Sequence, residues 1–229
     1  MTQTEPAQAE VLAHYQGIAA DYNQMANQTC ERVYGRLVSR FLSGSSRLLE
    51  LGGGSSEQLG ALGTPLAVTC DLSREMLLRR PASDQSHRVV AVGERLPFRD
   101  AQFNAIFSIN VLEHVADLDA VLAESARVLE DGGIWLAITP NGNWEYLLDL
   151  AERWSLKIPE GPHRFLTTRM LRAAVLRHLS IVEHQTMLVV PAGPPGFSSL
   201  VDRISVCSAW GGGFFQYIAA RKASSSDEG

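Results

Sequence analysis

The chain has 229 residues, 45% of them hydrophobic, and a formal net charge of -5, which suits one α/β domain with a full core. An acidic balance without a Lys/Arg cluster argues against a nucleic acid partner, and Arg79-Arg80 and Arg221-Lys222 read as solvated helix and strand ends. Cys30, Cys70 and Cys207 are far apart and form no C-x-x-C pair, and no apolar run approaches a bilayer span, so a cytoplasmic, reducing setting is expected, with no structural zinc and no membrane partner.

Residues 11–28 contain His14-Tyr15-Gln16-Gly17-Ile18-Ala19-Ala20-Asp21-Tyr22, a helix-and-loop prelude. Its two tyrosines, Tyr15 and Tyr22, are either surface packing or the aromatics of a lid over a ligand. Val33, Leu37, Val38, Phe41 and Leu42 recur at helical spacing, and Gly44-Ser45-Ser46 ends that helix. Residues 47–51 read as a short apolar strand that stops in Gly52-Gly53-Gly54, where glycine permits a tight turn and close approach of a ligand to the main chain. Ser55 and Gln58 fit an S-x-x-Q capping box. That predicts a helix start whose N–H groups and partial positive charge suit an anionic group. Residues 66–71 form a second strand ending in Asp71, and a glycine turn followed about 20 residues later by an acid is the general plan for a ribose-bearing cofactor.

Ser73 is predicted to cap the next helix, with Glu75 in its first turn and Pro81 as its stop. Further strands are predicted over 88–92, 103–109 and 134–139, the last closed by Pro140-Asn141. Asn110-Val111-Leu112-Glu113-His114-Val115 follows the fourth strand directly. A helix from Asp117 carries Leu118, Val121, Leu122 and Leu129 on one face, with Gly132-Gly133 beyond its end. This alternation predicts a parallel sheet covered on both faces. Residues 141–168 break the rhythm, with Trp144, Tyr146, Leu147, Leu150 and Trp154 in an aromatic-rich helix and a loop at Gly161-Pro162-His163-Arg164-Phe165. A helix from Thr168 carries Leu171, Val175 and Leu176, 181–190 is a sixth strand, and 191–213 is an irregular excursion. A final strand over 214–220 is expected to pair antiparallel at the sheet edge. The predicted organisation is a single domain over 1–222, with an N-terminal lid over about 1–30, insertions at about 141–168 and 191–213, and a disordered tail over 223–229.

Taken in order, these motifs resemble the class I S-adenosylmethionine-dependent methyltransferases, especially the small-molecule branch that includes quinone-precursor and natural-product enzymes. Glu50-Leu51-Gly52-Gly53-Gly54 matches the family's acidic-x-Gly-x-Gly loop, and Asp71-Leu72-Ser73 matches the acid after strand two. Leu96-Pro97-Phe98 with Phe103-Asn104, and the 110–115 segment, match the stretches flanking strand four; Arg127-Val128-Leu129 and Gly132-Gly133 match the helix and turn before strand five. Three positions depart from the pattern. Ser56 stands for the third loop glycine, Val92 for the acid that often meets the adenine amino group, and Asn104 for the usual acid of Phe-Asp.

The resemblance implies an α/β fold: a Rossmann-like seven-stranded, mostly parallel sheet with helices on both faces and the last strand antiparallel. It also implies ligand binding at the carboxyl ends of the strands, as in open α/β sheets generally. The implied donor is S-adenosylmethionine, with S-adenosylhomocysteine as product. Main-chain N–H groups of Gly52, Gly53 and Gly54 would meet the methionine carboxylate, Glu50 would attract the ammonium, and Asp71 would accept from both ribose hydroxyls. Adenine would rest on main-chain groups near Gly93 and Glu94 and on apolar packing, with Leu72, Asn110, Val111, Tyr15 and Tyr22 completing the cofactor site. The implied partner is a small-molecule methyl acceptor, with O-methylation of a hydroxylated aromatic or polyketide-like compound favoured. Orientation supplies much of the rate, and a hydroxyl acceptor also benefits from a general base. His114 and His163 are the two histidines near the expected ligand edge; their bland readings are a helix-start residue and a surface loop residue. His14, His87, His178 and His184 read as solvent-facing or structural, and Trp144, Tyr146 and Trp154 as core or as an apolar acceptor pocket. C- or N-methylation, a tRNA or rRNA methyltransferase, a non-catalytic binding module on the same fold, and a homodimer stay open. A dinucleotide dehydrogenase is disfavoured because Ser56 replaces the glycine that packs helix to strand around a pyrophosphate.

Overall fold

The computed structural model describes residues 7–20, 22, 28–144, 162–187 and 213–224. The aromatic-rich helix expected around Tyr146 and Trp154, most of the 191–213 excursion, Cys207 and the tail from residue 225 lie outside the described residues. The chain begins with α1 (Gln8–Ile18) and α2 (Gln28–Leu42), then β1 (Arg47–Leu51), β2 (Leu66–Asp71), α3 (Arg74–Leu78) and β3 (His87–Val90). It continues with β4 (Phe103–Ile109), α4 (Leu118–Val128), β5 (Leu129–Pro140), α5 (Thr168–Val175), β6 (Ser180–Met187) and β7 (Phe215–Arg221).

The seven strands form one sheet in the order β3-β2-β1-β4-β5-β7-β6. The first five are parallel, and β7 runs antiparallel to both its neighbours. The final strand therefore does not lie at the edge, as its late position suggested; it inserts between β5 and β6. Burial explains the order. Gln216 to Ala220 are all buried, whereas β6 alternates exposed with half-buried residues over its first half, so β6 tolerates the edge and β7 does not.

Alternate residues of the strands feed two cores, one on each face. Leu48, Phe107 and Leu136 pack with Val33, Leu37, Val38 and Leu42 of α2. Leu49, Ile106 and Trp135 face the other way, onto Val121 and Leu122 of α4 and Leu171 and Val175 of α5. Phe41, expected on the buried face of α2, is only partly buried and lies under the Arg40 guanidinium, 4.7 Å from its ring centre. Leu129 starts β5 instead of ending the helix before it, and Leu176 is 53% exposed beyond the end of α5.

Helix starts follow side-chain caps. Ser73, Asp117 and Thr167 accept from the N–H groups of Met76 (3.2 Å), Ala120 (3.0 Å) and Met170 (3.2 Å). The capping box expected at Ser55 does not form. Gln58 turns instead to α2, where Nε2 donates to the Glu31 carbonyl at 3.0 Å and to its carboxylate at 2.7 Å. Only a 3-10 turn over Gly60–Leu62 follows. Gly60, Gly63 (φ +61°) and Pro65 leave too little helix-compatible chain between the glycine turn and β2. An anion site at a helix N-terminus after β1 is therefore withdrawn.

Arg127 at the end of α4 staples the 96–100 segment under the sheet. Its guanidinium donates to the carbonyls of Leu96 (3.1 Å) and Phe98 (2.9 Å) and pairs with Glu124 and Asp100. Carbonyl oxygens left without this cation lose charge-assisted bonds, so Arg127→Ala is expected to lower unfolding free energy by about 1–3 kcal/mol, read from the urea midpoint at unchanged slope.

Candidate functional site

The strand order reverses at β1, which pairs with β2 on one side and β4 on the other. Such a switch point opens a crevice at the carboxyl ends of the strands. Here it holds a cavity of about 760 Å³, lined by the turns after β1, β2, β3 and β4 and roofed by Val11, Leu12 and Tyr15 of α1. Glu50, Gly52, Gly53, Gly54, Asp71, Leu72, Gly93, Glu94, Asn110, Val111, His114, Tyr15 and Tyr22 all line it. His163 does not; its ring lies behind His114, 6.3 Å between centroids, and against Phe165 at 4.2 Å. Trp144 packs on Phe214 at 5.2 Å, away from the cavity lining. Asn104 also sits elsewhere: it accepts from Arg47 N (3.1 Å) and donates to Ser46 Oγ (3.1 Å), fixing the entry to β1.

The glycine turn is held by contacts on every side. A Cβ at Gly52 (φ +63°) would lie 2.3 Å from Val111 Cγ2, and one at Gly53 would lie 2.2 Å from Thr69 Oγ1 and 2.5 Å from Glu50 Oε2. The three amides have partners within the protein. Gly52 N and Gly53 N donate to the Cys70 carbonyl at 2.7 and 3.3 Å, and Gly54 N donates to Asp71 Oδ2 at 2.8 Å. They are thus committed to shaping the turn, which differs from the expectation that they meet a carboxylate. Ser73 N donates to the other Asp71 oxygen at 2.7 Å, so both carboxylate oxygens are fixed in direction. Burial raises the Asp71 pKa above its ordinary value, and those two N–H groups oppose the shift.

Glu50 differs from its expected role as well. Its carboxyl lies beneath Gly53, with Oε2 3.0 Å from Nη1 of Arg80. Burial pushes its pKa up to about 7, against the pull of Arg80. Arg80, read from sequence as solvated, is 4% exposed. It also pairs with Asp84 and donates to the carbonyls of Gly53 (3.0 Å) and Gly54 (3.4 Å). Arg79, Arg221 and Arg74 are exposed. Nothing in the sequence separates Arg80 from Arg79; only the turn at Pro81 points one inward.

Asn110 ends β4 with φ +53°, donates from Nδ2 to Tyr34 Oη at 3.4 Å, and leaves Oδ1 buried with no hydrogen-bond partner among the described residues. Glu94 Oε1 accepts from Ala116 N at 3.1 Å, which ties the turn after β3 to the start of α4. Glu113 is buried and accepts from Thr139 Oγ1 at 2.8 Å, while its carbonyl accepts from Arg164 N at 2.7 Å. His114 joins three segments: Nδ1 lies 2.9 Å from the Pro162 carbonyl and Nε2 3.0 Å from the Tyr15 hydroxyl. A carbonyl only accepts, so in the neutral ring Nδ1 carries the hydrogen and Nε2 accepts from Tyr15. Sequence reasoning missed Arg80, Tyr34 and Glu31; the last lines the cavity, its pKa raised by burial. Glu31, Glu57, Asp71 and Glu94 share the lining with Arg32, while Glu50 is paired with Arg80, a balance that favours a cationic ligand.

Comparison with known proteins agrees with this geometry. Residues 49–137 match the family model for a methyltransferase domain. A malonyl-[acyl-carrier protein] O-methyltransferase of Geobacter sulfurreducens is 33% identical over 181 residues, covering 69% of this chain and 65% of that protein, so the chain spans just under two thirds of this relative. Among solved structures, an S-adenosylmethionine-dependent methyltransferase of Thermotoga maritima, described as a possible histamine N-methyltransferase, has a TM-score of 0.73 at 18% identity over 93% of this chain and 99% of that one. The [4+2]-cyclase SpnF has a TM-score of 0.70 at 15% identity over 98% and 100%. These two likenesses establish the fold, and the family match covers the strands that build the cavity. Residues 49–137 match a methyltransferase domain, and the seven-stranded sheet that carries them has the fold of the solved S-adenosylmethionine-dependent methyltransferase of Thermotoga maritima.

Proposed function

We propose that the protein moves a methyl group from S-adenosylmethionine to an oxygen of a small molecule, with a hydroxylated aromatic or polyketide-like compound as acceptor. The observation that carries the donor half is Asp71, whose two oxygens are each aimed by one main-chain N–H at the mouth of an acid-lined cavity. Each oxygen keeps acceptor capacity for a ribose hydroxyl. Asn110 Oδ1 suits the ammonium better than Glu50, because it lacks a partner among the described residues while Glu50 faces Arg80. Leu72, Val92 and Val111 offer an apolar bed for adenine, with Gly93 and Glu94 beside it. A cavity of about 760 Å³ is within the usual range for small-ligand sites.

The donor supplies an electrophilic methyl on a sulfonium. The protein's share is to hold the acceptor in line, exclude water and take a proton. α1 covers the cavity, held down by the Tyr15–His114 contact and by Gln16 Nε2 on Glu75 Oε2 at 3.0 Å. Of the two candidate histidines, His114 lines the cavity and carries its acceptor nitrogen towards Tyr15, so we assign proton acceptance to His114 through Tyr15. His163 is assigned a supporting place behind it. The O-methyltransferase name of the Geobacter relative supports oxygen as the target.

Titration of S-adenosylhomocysteine, followed by a panel of phenolic and carboxylate acceptors incubated with S-adenosylmethionine and scored by release of S-adenosylhomocysteine, tests this reading. Product analysis that finds the methyl on nitrogen or carbon replaces the O-methyl assignment, and no binding at millimolar product favours a module without the donor. Asp71→Ala is expected to weaken S-adenosylhomocysteine by about 10–100-fold, the loss of bonds to a charged group. His114→Gln is expected to lower turnover by about 10²–10⁴-fold with product affinity within a few-fold of the parent, and His163→Ala to lower it less.

A further inference from the structure

Beneath the glycine turn lies a buried cation that the reading above does not use. Arg80 has a side chain with no exposed surface, and it faces Glu50 Oε2 at 3.0 Å and the Asp84 carboxylate. The same Nη1 reaches Gly53 O (3.0 Å), Gly54 O (3.4 Å) and Thr69 Oγ1 (3.3 Å). A trans peptide points its N–H away from its carbonyl. The Gly53 carbonyl accepts from Arg80 Nη1 and from Ser56 N (2.8 Å), and this direction turns the Gly54 N–H outward, onto Asp71 Oδ2 at 2.8 Å. The cation on one side of the turn and the carboxylate on the other are joined through a single peptide plane.

We infer that Arg80 is a positioning residue for the donor site: it fixes the Gly53–Gly54 peptide, and through it the direction of the Asp71 carboxylate. This rests on the assignment of Asp71 to the donor. Lysine cannot replace it, because an ammonium is a point charge without the fork that serves Asp84 from Nε and the turn from Nη1. Simple neutralisation of Glu50 is a different role, and the two roles separate experimentally. Removing Arg80 alone orphans the buried carboxylates of Glu50 and Asp84; neutralising Glu50 as well relieves the first and leaves Asp84 with its bonds from Ser86.

S-adenosylhomocysteine is titrated calorimetrically into the full chain and into Arg80→Lys, Arg80→Met and the Glu50→Gln/Arg80→Met double variant, with melting temperature recorded for each. Positioning predicts at least a tenfold loss of affinity in all three, with the double variant regaining part of the melting temperature lost in Arg80→Met but none of the affinity. Recovery of affinity together with stability in the double variant overturns the inference, as does parental affinity in Arg80→Met. Where Arg80→Met does not fold, the double variant and Arg80→Lys decide. Failure of the parent chain to bind is a separate result: it removes the donor reading, and the inference with it, before any substitution is compared.

Discussion

The bond from Gly54 N to Asp71 Oδ2, 2.8 Å across the tips of β1 and β2, is the constraint on which the site depends. It sets the shape of the turn and the direction of the acid at once. It can form only because the turn is compact: Gly52 N and Gly53 N close on the Cys70 carbonyl, and Gly54 adopts φ +43°. Side chains at Gly52 or Gly53 would collide with Val111, Thr69 or Glu50, and Gly54 has a positive φ, so the glycines serve the protein's own packing before they serve any ligand.

That compactness concentrates charge. Glu50, Asp71 and Asp84 surround the one guanidinium of Arg80 at the base of the cavity. Coulomb attraction at short range competes with desolvation, and the outcomes differ by residue. For Glu50 burial wins and its pKa rises to about 7. For Asp84, also desolvated, the hydrogen bonds from Arg80 and from Ser86 outweigh burial and the pKa is lowered. By linkage, Glu50 binds protons more tightly folded than unfolded, so its own contribution to stability is largest at low pH and is lost as pH rises from about 4.5 towards 7. Asp84 has the opposite sign, its contribution being lost as pH falls below its unfolded value. The cluster thus weakens the fold on one side and strengthens it on the other, an arrangement kept for geometry more than for net stability.

Much of the fold was legible in sequence because burial and local chemistry agreed there. Residues 103–109 form a strand that is apolar at most positions and buried over most of its length, and Ser73, Asp117 and Thr167 or its neighbour announce helix starts through their own side chains. The misreadings share a cause: a local signal overruled by a distant partner. The Ser55–Gln58 box lost Gln58 to Glu31 of α2. Arg80 looked like its exposed neighbour until folding brought Glu50 and the glycine turn against it. β7 looked like an edge because its position in sequence carries no record of the fully buried run that draws it between β5 and β6. Among the candidate site residues, those at strand tips line one cavity because a parallel sheet brings its tips together whatever the side chains. His163 was less legible, since its loop belongs to no strand.

The same contrast separates the donor and acceptor sides of the site as proposed above. The donor side is built from β1, β2 and β4, adjacent strands whose turns converge by topology, with main-chain N–H groups doing the aiming. The acceptor side is assembled from separate pieces: α1 supplies Tyr15, the turn after β4 supplies His114, and the 162–166 segment supplies the carbonyl that sets the His114 ring. Its geometry depends on contacts between segments rather than on the sheet, so it can vary while the fold stays constant. On the proposed reading, the junction where α1 meets His114 is the part of the cavity set by contacts between segments and not by the sheet.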